Sequence, residues 1–170
     1  GGPGGQFDQA TALAADFAGN VFLAGVFASA AATFDGAPPL ASRGGTDAFL
    51  ARFDGAGSLQ WVRQIGGVSE DGARGVAVDS AGNAYVVGEF TGTLQLPGTN
   101  LVAGIGEQNA FIARFSPAGA VNWARKAGGT LPSAARAVTV DRSDRVFVAG
   151  YFSGTAAFGG EMLASVGNTY

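Results

Sequence analysis

The sequence contains no cysteine and no histidine. Without cysteine there is no disulfide framework, no thiol nucleophile and no thiolate metal site. Without histidine the commonest general base and the commonest metal ligand are both missing, which removes His-dependent triads, zincins and most transition-metal chemistry. A cysteine-free chain suits either redox environment, so the compartment stays open. Charge is scarce as well. Only 14% of residues are charged and the formal net charge is −3, too small and too acidic for a nucleic-acid footprint. No helix-like run of 18 apolar residues is present, so no transmembrane span is expected. Hydrophobic residues make up 47%, which argues against intrinsic disorder. Glycine is abundant, 29 of 170 residues against a usual share of roughly 7%, but no Gly-X-Y period runs through it and collagen is excluded.

The chain repeats itself. Asp16-Phe-Ala-Gly-Asn-Val-Phe-Leu-Ala-Gly-Val-Phe27 aligns without a gap with Asp79-Ser-Ala-Gly-Asn-Ala-Tyr-Val-Val-Gly-Glu-Phe90 and with Asp141-Arg-Ser-Asp-Arg-Val-Phe-Val-Ala-Gly-Tyr-Phe152, at spacings of 63 and 62. A second block, Asp47-Ala-Phe-Leu-Ala-Arg-Phe-Asp54, matches Asn109-Ala-Phe-Ile-Ala-Arg-Phe-Ser116. Trp61 and Trp123, and the pairs Gly66-Gly67 and Gly128-Gly129, recur at 62. The repeats run over residues 1–70, 71–133 and 134–170, the last one partial.

Each repeat reads as strands. Apolar residues do not recur at three and four, and glycine interrupts every candidate helix. Arg74 to Val78 alternates, and Asp79-Ser-Ala-Gly82 has Asp first and Gly fourth, the signature of a type I turn with a left-handed glycine and a bulge. Asn83 to Phe90 makes the next strand, apolar on both faces. Ala110 to Phe115 and Val121 to Lys126 make a hairpin around Ser116-Pro-Ala-Gly119, with short extended pieces near Leu94–Leu96 and Leu101–Ala103. Four strands per repeat, apolar on both faces, are not buried in isolation. Radial stacking gives an all-β fold of β-propeller blades, each of four antiparallel strands. Loops from Asp35 to Ser42 and Pro97 to Gly106 account for a period that is long for a blade.

At these residues the chain resembles the bacterial SBBP-type β-propeller repeat. The resemblance is carried by Gly-Asn-x-(Phe/Tyr)-x-x-Gly-x-Phe, by Gly154-Thr155 and Phe158-Gly159, by Leu-x-Ser-x-Gly at Leu40–Gly44 and Leu163–Gly167, and by the Asp-Ala-Phe-Leu-Ala-Arg-Phe-Asp block. It covers nearly the whole chain and says almost nothing about a ligand. Arg52 and Arg114 stand where the family commonly has Lys. Ser143-Asp144-Arg145 replaces Ala-Gly-Asn, with Asp144 expected to take the left-handed turn position. About 2.7 periods fit in 170 residues, fewer than a ring needs, so the chain is expected to be part of a larger polypeptide or assembly. The opening Gly1-Gly2-Pro3-Gly4-Gly5 suits a loop between blades.

Candidate sites are few. The Asp-x-x-Gly-Asn turns offer too few oxygen ligands for calcium and read as turn structure. Trp61 and Trp123 read as blade-to-blade packing in preference to sugar stacking. Gly104-Ile-Gly106 lacks the residues and context of a phosphate loop. Arg74 and Arg136 share one repeat position, with Thr11 as the third equivalent, on the first strand that lines a propeller channel. There they either ring an anionic ligand or, the favoured reading, are exposed or paired with carboxylates. Glu89 breaks an apolar pattern in which Val26 and Tyr151 are its equivalents. No metal or cofactor is implied, and no catalytic set stands out.

The leading expectation is a non-catalytic binding or scaffolding module, with recognition carried by the loops Phe34–Asp47 and Leu96–Asn109, which differ between repeats while the strands do not. Its partner would be a protein or a surface glycan, with further blades or copies of itself alongside. The family resemblance implies a secreted or cell-surface bacterial setting. The alternative is a structural subunit or segment of an extracellular fibre or assembly, stacking through blade faces. An enzyme using the channel is the least favoured.

Overall fold

Glycine at this density denies helices their propensity, while Val, Phe and Tyr fill a pleated surface. The computed structural model describes residues 7–34 and 36–166. Gly1–Gly5, Asp35, Gly167 and the final residues lie outside the described set. Among the described residues every regular element is a strand. The first repeat holds β1 (Asp8–Ala15), β2 (Val21–Phe27), β3 (Asp47–Phe53) and β4 (Leu59–Ile65). The second holds β5 (Asp71–Val78), β6 (Ala84–Thr91), β7 (Thr93–Leu96), β8 (Thr99–Val102), β9 (Gln108–Phe115) and β10 (Val121–Gly128). β11 (Ser133–Val140), β12 (Val146–Phe152), β13 (Thr155–Phe158) and β14 (Glu161–Ala164) follow.

β1-β2-β3-β4 is an antiparallel meander, and β5-β6-β9-β10 repeats it one period later. β11 and β12 begin it a third time. The first strands of successive repeats lie side by side, β1 against β5 and β5 against β11. Across the first of these contacts the Thr11 hydroxyl donates to Ala73 O at 2.8 Å. This is the arrangement of β-propeller blades around an axis.

The turns form as their residues demand. Asp79 Oδ1 accepts the Ala81 and Asn83 N–H groups at 3.0 and 2.8 Å, and Asp16, Asp54 and Asp141 do the same in their own turns. The fourth residue is left-handed, Gly82 at φ 77° and, in the third repeat, Asp144 at φ 58°. Asp144 holds that conformation while its carboxylate accepts Ser80 N–H at 2.8 Å and Ser80 Oγ–H at 2.5 Å, tying two neighbouring turns together.

The repeated glycine pairs have a definite task. The hairpin β7–β8 lies against the end of β4, where Gly66 N–H donates to Gln95 O at 3.0 Å. In the same way β13 pairs with β10 through Ala127↔Phe158 and Gly128↔Ala157. A Cβ on Gly67 would come within 2.1 Å of Thr93 O, and one on Gly129 within 2.1 Å of Thr155 O. Only glycine admits the neighbouring hairpin. The β13–β14 hairpin therefore extends the sheet of the repeat before its own, while β7–β8 forms a separate two-stranded sheet that abuts β4.

The junction between the first two repeats is a dense apolar core. Phe22, Leu50 and Ile65 of the first repeat meet Val86, Phe111 and Phe115 of the second, all buried. Trp61, half-buried, packs edge-to-face on Phe22 at 6.0 Å, and its indole N–H donates to Pro117 O at 2.9 Å. Beside it Arg63 donates to Gly119 O at 2.9 Å. The expected blade-to-blade role of this tryptophan is what the geometry shows. A second cluster, with Phe27, Phe49 and Ala51 at its centre, is covered by the first repeat's own loop through Phe34 and Leu40.

Candidate binding face

The meander puts two kinds of connection at opposite ends of the sheets. One end carries the Asp- or Ser-headed four-residue turns, which repeat almost unchanged. The other end carries the connections between second and third strands and those between repeats, and here the repeats diverge. The first repeat has only an isolated bridge, Ala32↔Leu40, where the second has the β7–β8 hairpin. Glu107 then closes the second loop by accepting Gly104 N–H at 2.8 Å.

The three residues singled out in the sequence, Arg74, Arg136 and Glu89, converge at this end. Each first strand carries a β-bulge, between Ala10 and Ala12, Ala73 and Gly75, and Ala135 and Ala137. The residues at the bulge are Thr11, Arg74 and Arg136. A bulge re-aims the side chain it displaces, which turns both guanidinium groups toward Glu89. Glu89, 7% exposed, accepts Arg74 Nε–H at 2.7 Å through Oε1, and its Oε2 lies 3.6 Å from Arg136 Nη1. The Arg136 guanidinium also lies 5.3 Å from the Tyr151 ring centre. Both arginines are thus paired with a carboxylate, and two cations share one anion. The surplus charge sits on Arg136, whose side chain is 48% exposed. A guanidinium so placed can donate to a carboxylate, sulfate or phosphate group.

Next to this trio lies a polar cavity of about 140 Å³, lined by Thr46, Glu70, Asp71, Arg74, Glu89 and Gln108 among others. Thr46 Oγ–H donates to Glu70 Oε2 at 2.6 Å. Asp71 is buried and its Oδ2 accepts Gly67 N–H at 2.6 Å. Burial pushes its carboxyl up to about 7, and the charges of Asp47 and Glu70 add to the rise against hydrogen bonds from Gly67 and Thr91 N–H. Burial raises Asp47 too, against hydrogen bonds from Arg43 N–H and the Gln64 amide. At the next junction Asn109 and Ser133 stand where Asp47 and Asp71 stand here, and Ser133 Oγ accepts Ala110 N–H at 3.2 Å. Sequence reading passed over this carboxylate pair because Asp47 and Asn109 look alike as repeat positions. The available signal was the loss of two carboxylates from one repeat to the next.

Among the described residues no cluster of three or more acidic side chains is placed to hold a metal ion, and no helix is long and apolar enough to cross a membrane.

The architecture defines a class. This chain is all-β and built of antiparallel β-propeller repeats, with one end of the blades uniform and the other variable. Residues 60–89, spanning all but the first residue of β4, the whole of β5 and most of β6, match the SBBP β-propeller repeat family model. An uncharacterized WD repeat-containing protein of Acanthamoeba polyphaga mimivirus is 26% identical over an alignment of 132 residues that covers 70% of this chain. The chain spans 9% of that relative's length.

Proposed function

We propose that this chain is a non-catalytic binding or scaffolding module of a secreted or cell-surface bacterial protein, recognising a protein or surface glycan through the variable end of its blades. One observation carries the reading. The strands and turns repeat closely, whereas the connections at residues 28–46 and 92–107 differ in sequence and in form, on a scaffold that carries both at the same end of the sheets. Variable loops on a rigid frame are where recognition is built. The Arg74–Glu89–Arg136 trio lies at the same end and adds one incompletely paired guanidinium, that of Arg136. The match to a β-propeller repeat and the likeness to a WD repeat-containing protein support an interaction module. The secreted or surface setting rests on the family resemblance.

The test is a binding screen against extracellular proteins and glycans with two forms of the chain. One is native, and the other has residues 28–46 exchanged for residues 91–108. A partner held by the native form and released by the exchange supports the reading. A partner held equally by both removes it.

A further inference from the structure

The polar cavity beside Arg74 holds more negative charge than its own residues neutralise. Among the described residues, the carboxylates of Glu70, Asp71 and Glu89 line it against one cation, Arg74. That cation is already engaged, because its Nε and Nη2 both lie on Glu89 Oε1, at 2.7 and 2.5 Å. One oxygen of each buried carboxylate is left over. Glu89 Oε2 lies 3.6 Å from Arg136 Nη1 and accepts no hydrogen bond. Asp71 Oδ1 accepts none of ordinary geometry either. Gly67 N–H takes Oδ2 at 2.6 Å, and Thr91 N–H is the lesser donor to this carboxyl. Both residues are more than nine-tenths buried, and bulk water does not reach these two oxygens. A buried acceptor in this state costs free energy that an added donor recovers.

The blade does not require these charges. One period later Glu70, Asp71 and Glu89 are replaced by Pro132, Ser133 and Tyr151, and the first two strands still pair in the same register. The cavity is lined only by residues of the first two repeats, each of which has its four-stranded meander.

Size and lining select the ligand. At about 140 Å³ the cavity is well below the roughly 300–1,000 Å³ of a site for a whole small molecule, so it suits one group of a larger partner. Its lining has no aromatic ring and no large apolar side chain for a sugar ring to lie against. Among the described residues no three carboxylates are placed to hold a metal ion. A guanidinium is best served by both oxygens of one carboxylate, and here each buried carboxylate has only one open. An ammonium carries three separate donors and no acceptor, and is served by one oxygen from each partner.

We propose that this cavity receives the ammonium group of a lysine side chain on a protein partner, seated between the exposed Glu70 and the buried carboxylates of Asp71 and Glu89. The assignment rests on the binding module proposed above and deepens it, by naming what the partner inserts at the variable end.

The probe is Nα-acetyl-lysine methylamide, titrated into the isotope-labelled chain at about pH 7.5, where Asp71 is largely ionised. The backbone amide shifts of Thr46, Gly72, Thr91 and Gln108 report binding. Saturable shifts confined to the cavity are expected, with dissociation in the millimolar range. The Nε-acetylated probe, which lacks the charge, should give none, and the arginine equivalent should bind about tenfold more weakly. Asp71→Asn and Glu70→Gln should each weaken binding about tenfold, whereas Glu161→Gln, which removes the same charge from β14, should leave it unchanged. Thermal unfolding of each variant checks that it is folded. Absence of saturable shifts, an equal response to the acetylated probe, or indifference to both cavity variants would overturn the assignment. Glucosamine binding more tightly than the lysine probe would also overturn it and give the cavity to a glycan amine. The loop-exchange screen separates the two readings. A partner released by the exchange but held in full by Asp71→Asn overturns the lysine assignment and leaves the binding module standing.

Discussion

Neutralising Asp71 should stabilise the protein at neutral and mildly alkaline pH and remove most of its pH dependence there. Asp71 is 1% exposed, and its carboxyl sits at about 7 against an ordinary 3.8. A carboxyl raised in this way holds its proton more tightly in the folded chain than in the unfolded one. Its stabilisation is complete below 3.8 and is lost as the pH climbs through about 7. Inside that window the slope is about 1.4 kcal/mol per pH unit, so lowering the pH from about 8 to 5 should raise stability by about 3 kcal/mol. Asp47, also raised, acts in the same sense. Asp16, Asp79 and Asp141 act in the opposite sense. Hydrogen bonds in their turns hold them below the ordinary 3.8, outweighing whatever burial does to raise them. Their contribution is present above 3.8 and fails only as the pH falls through their folded values. Stability should therefore peak just above the ordinary carboxylate range. Urea unfolding followed by the fluorescence of Trp61 and Trp123, at pH values from about 8 to 5, measures the slope. Asp71→Asn mimics the protonated acid and keeps an oxygen for Gly67 N–H. It should bring the value at pH 8 close to that of the unaltered protein at pH 5, with a nearly flat profile between. A flat or falling profile in the unaltered protein, or an unchanged slope in Asp71→Asn, would refute the reasoning.

Trp61→Ala should cost about 1 kcal/mol more than Trp123→Ala in urea unfolding, because only Trp61 gives up a hydrogen bond to the next repeat, the 2.9 Å bond to Pro117 O. Gly67→Ala should cost about 2 kcal/mol or more, since its Cβ would stand 2.1 Å from Thr93 O. Gly57→Ala, at φ 82° with nothing within 4 Å, should cost only about 1 kcal/mol of backbone strain; equal losses in calorimetry would contradict the hairpin contact. Asp144→Gly should be near neutral, because relief of the left-handed strain offsets the lost bonds to Ser80. Asp144→Ala should lose about 2 kcal/mol, since it gives up the bonds and keeps the strain.

Much of the fold is readable before any coordinates because its signals are local. An Asp at the head of a turn and a residue able to take positive φ at its fourth place recur five times with Ser116 included, and each closes a hairpin. Even the irregular Ser143-Asp144-Arg145 turn follows from the tolerance of Asp for the left-handed region. The Gly66-Gly67 pair was visible as a repeat, but its reason was not. The atoms it makes room for, Thr93 O and the β7 backbone, belong to the following repeat, and no local pattern encodes a contact across that distance.

The candidate site divides along the same line. Glu89 stood out as a polar residue in an apolar column, and Arg74 and Arg136 as a recurring pair, yet nothing in their spacing says that the three meet. They meet because a bulge displaces one residue in each first strand, and a bulge leaves no mark in a sequence whose neighbours are Ala and Gly. The Asp47–Asp71 pair was hidden for the converse reason, since a repeat comparison treats Asp47 and Asn109 as one position when their burial makes them chemically opposite. A carboxylate kept where the next junction has an amide and a hydroxyl is not required by the blade, because the second junction is built without it. Burial of Asp71 at this junction disfavours its charged form at neutral pH, and the cavity it lines opens at the variable end beside Arg74 and Glu89. The departure from the repeat and the divergence of the loops therefore fall at the same end of the molecule, which is where a blade array has freedom to acquire a specific partner.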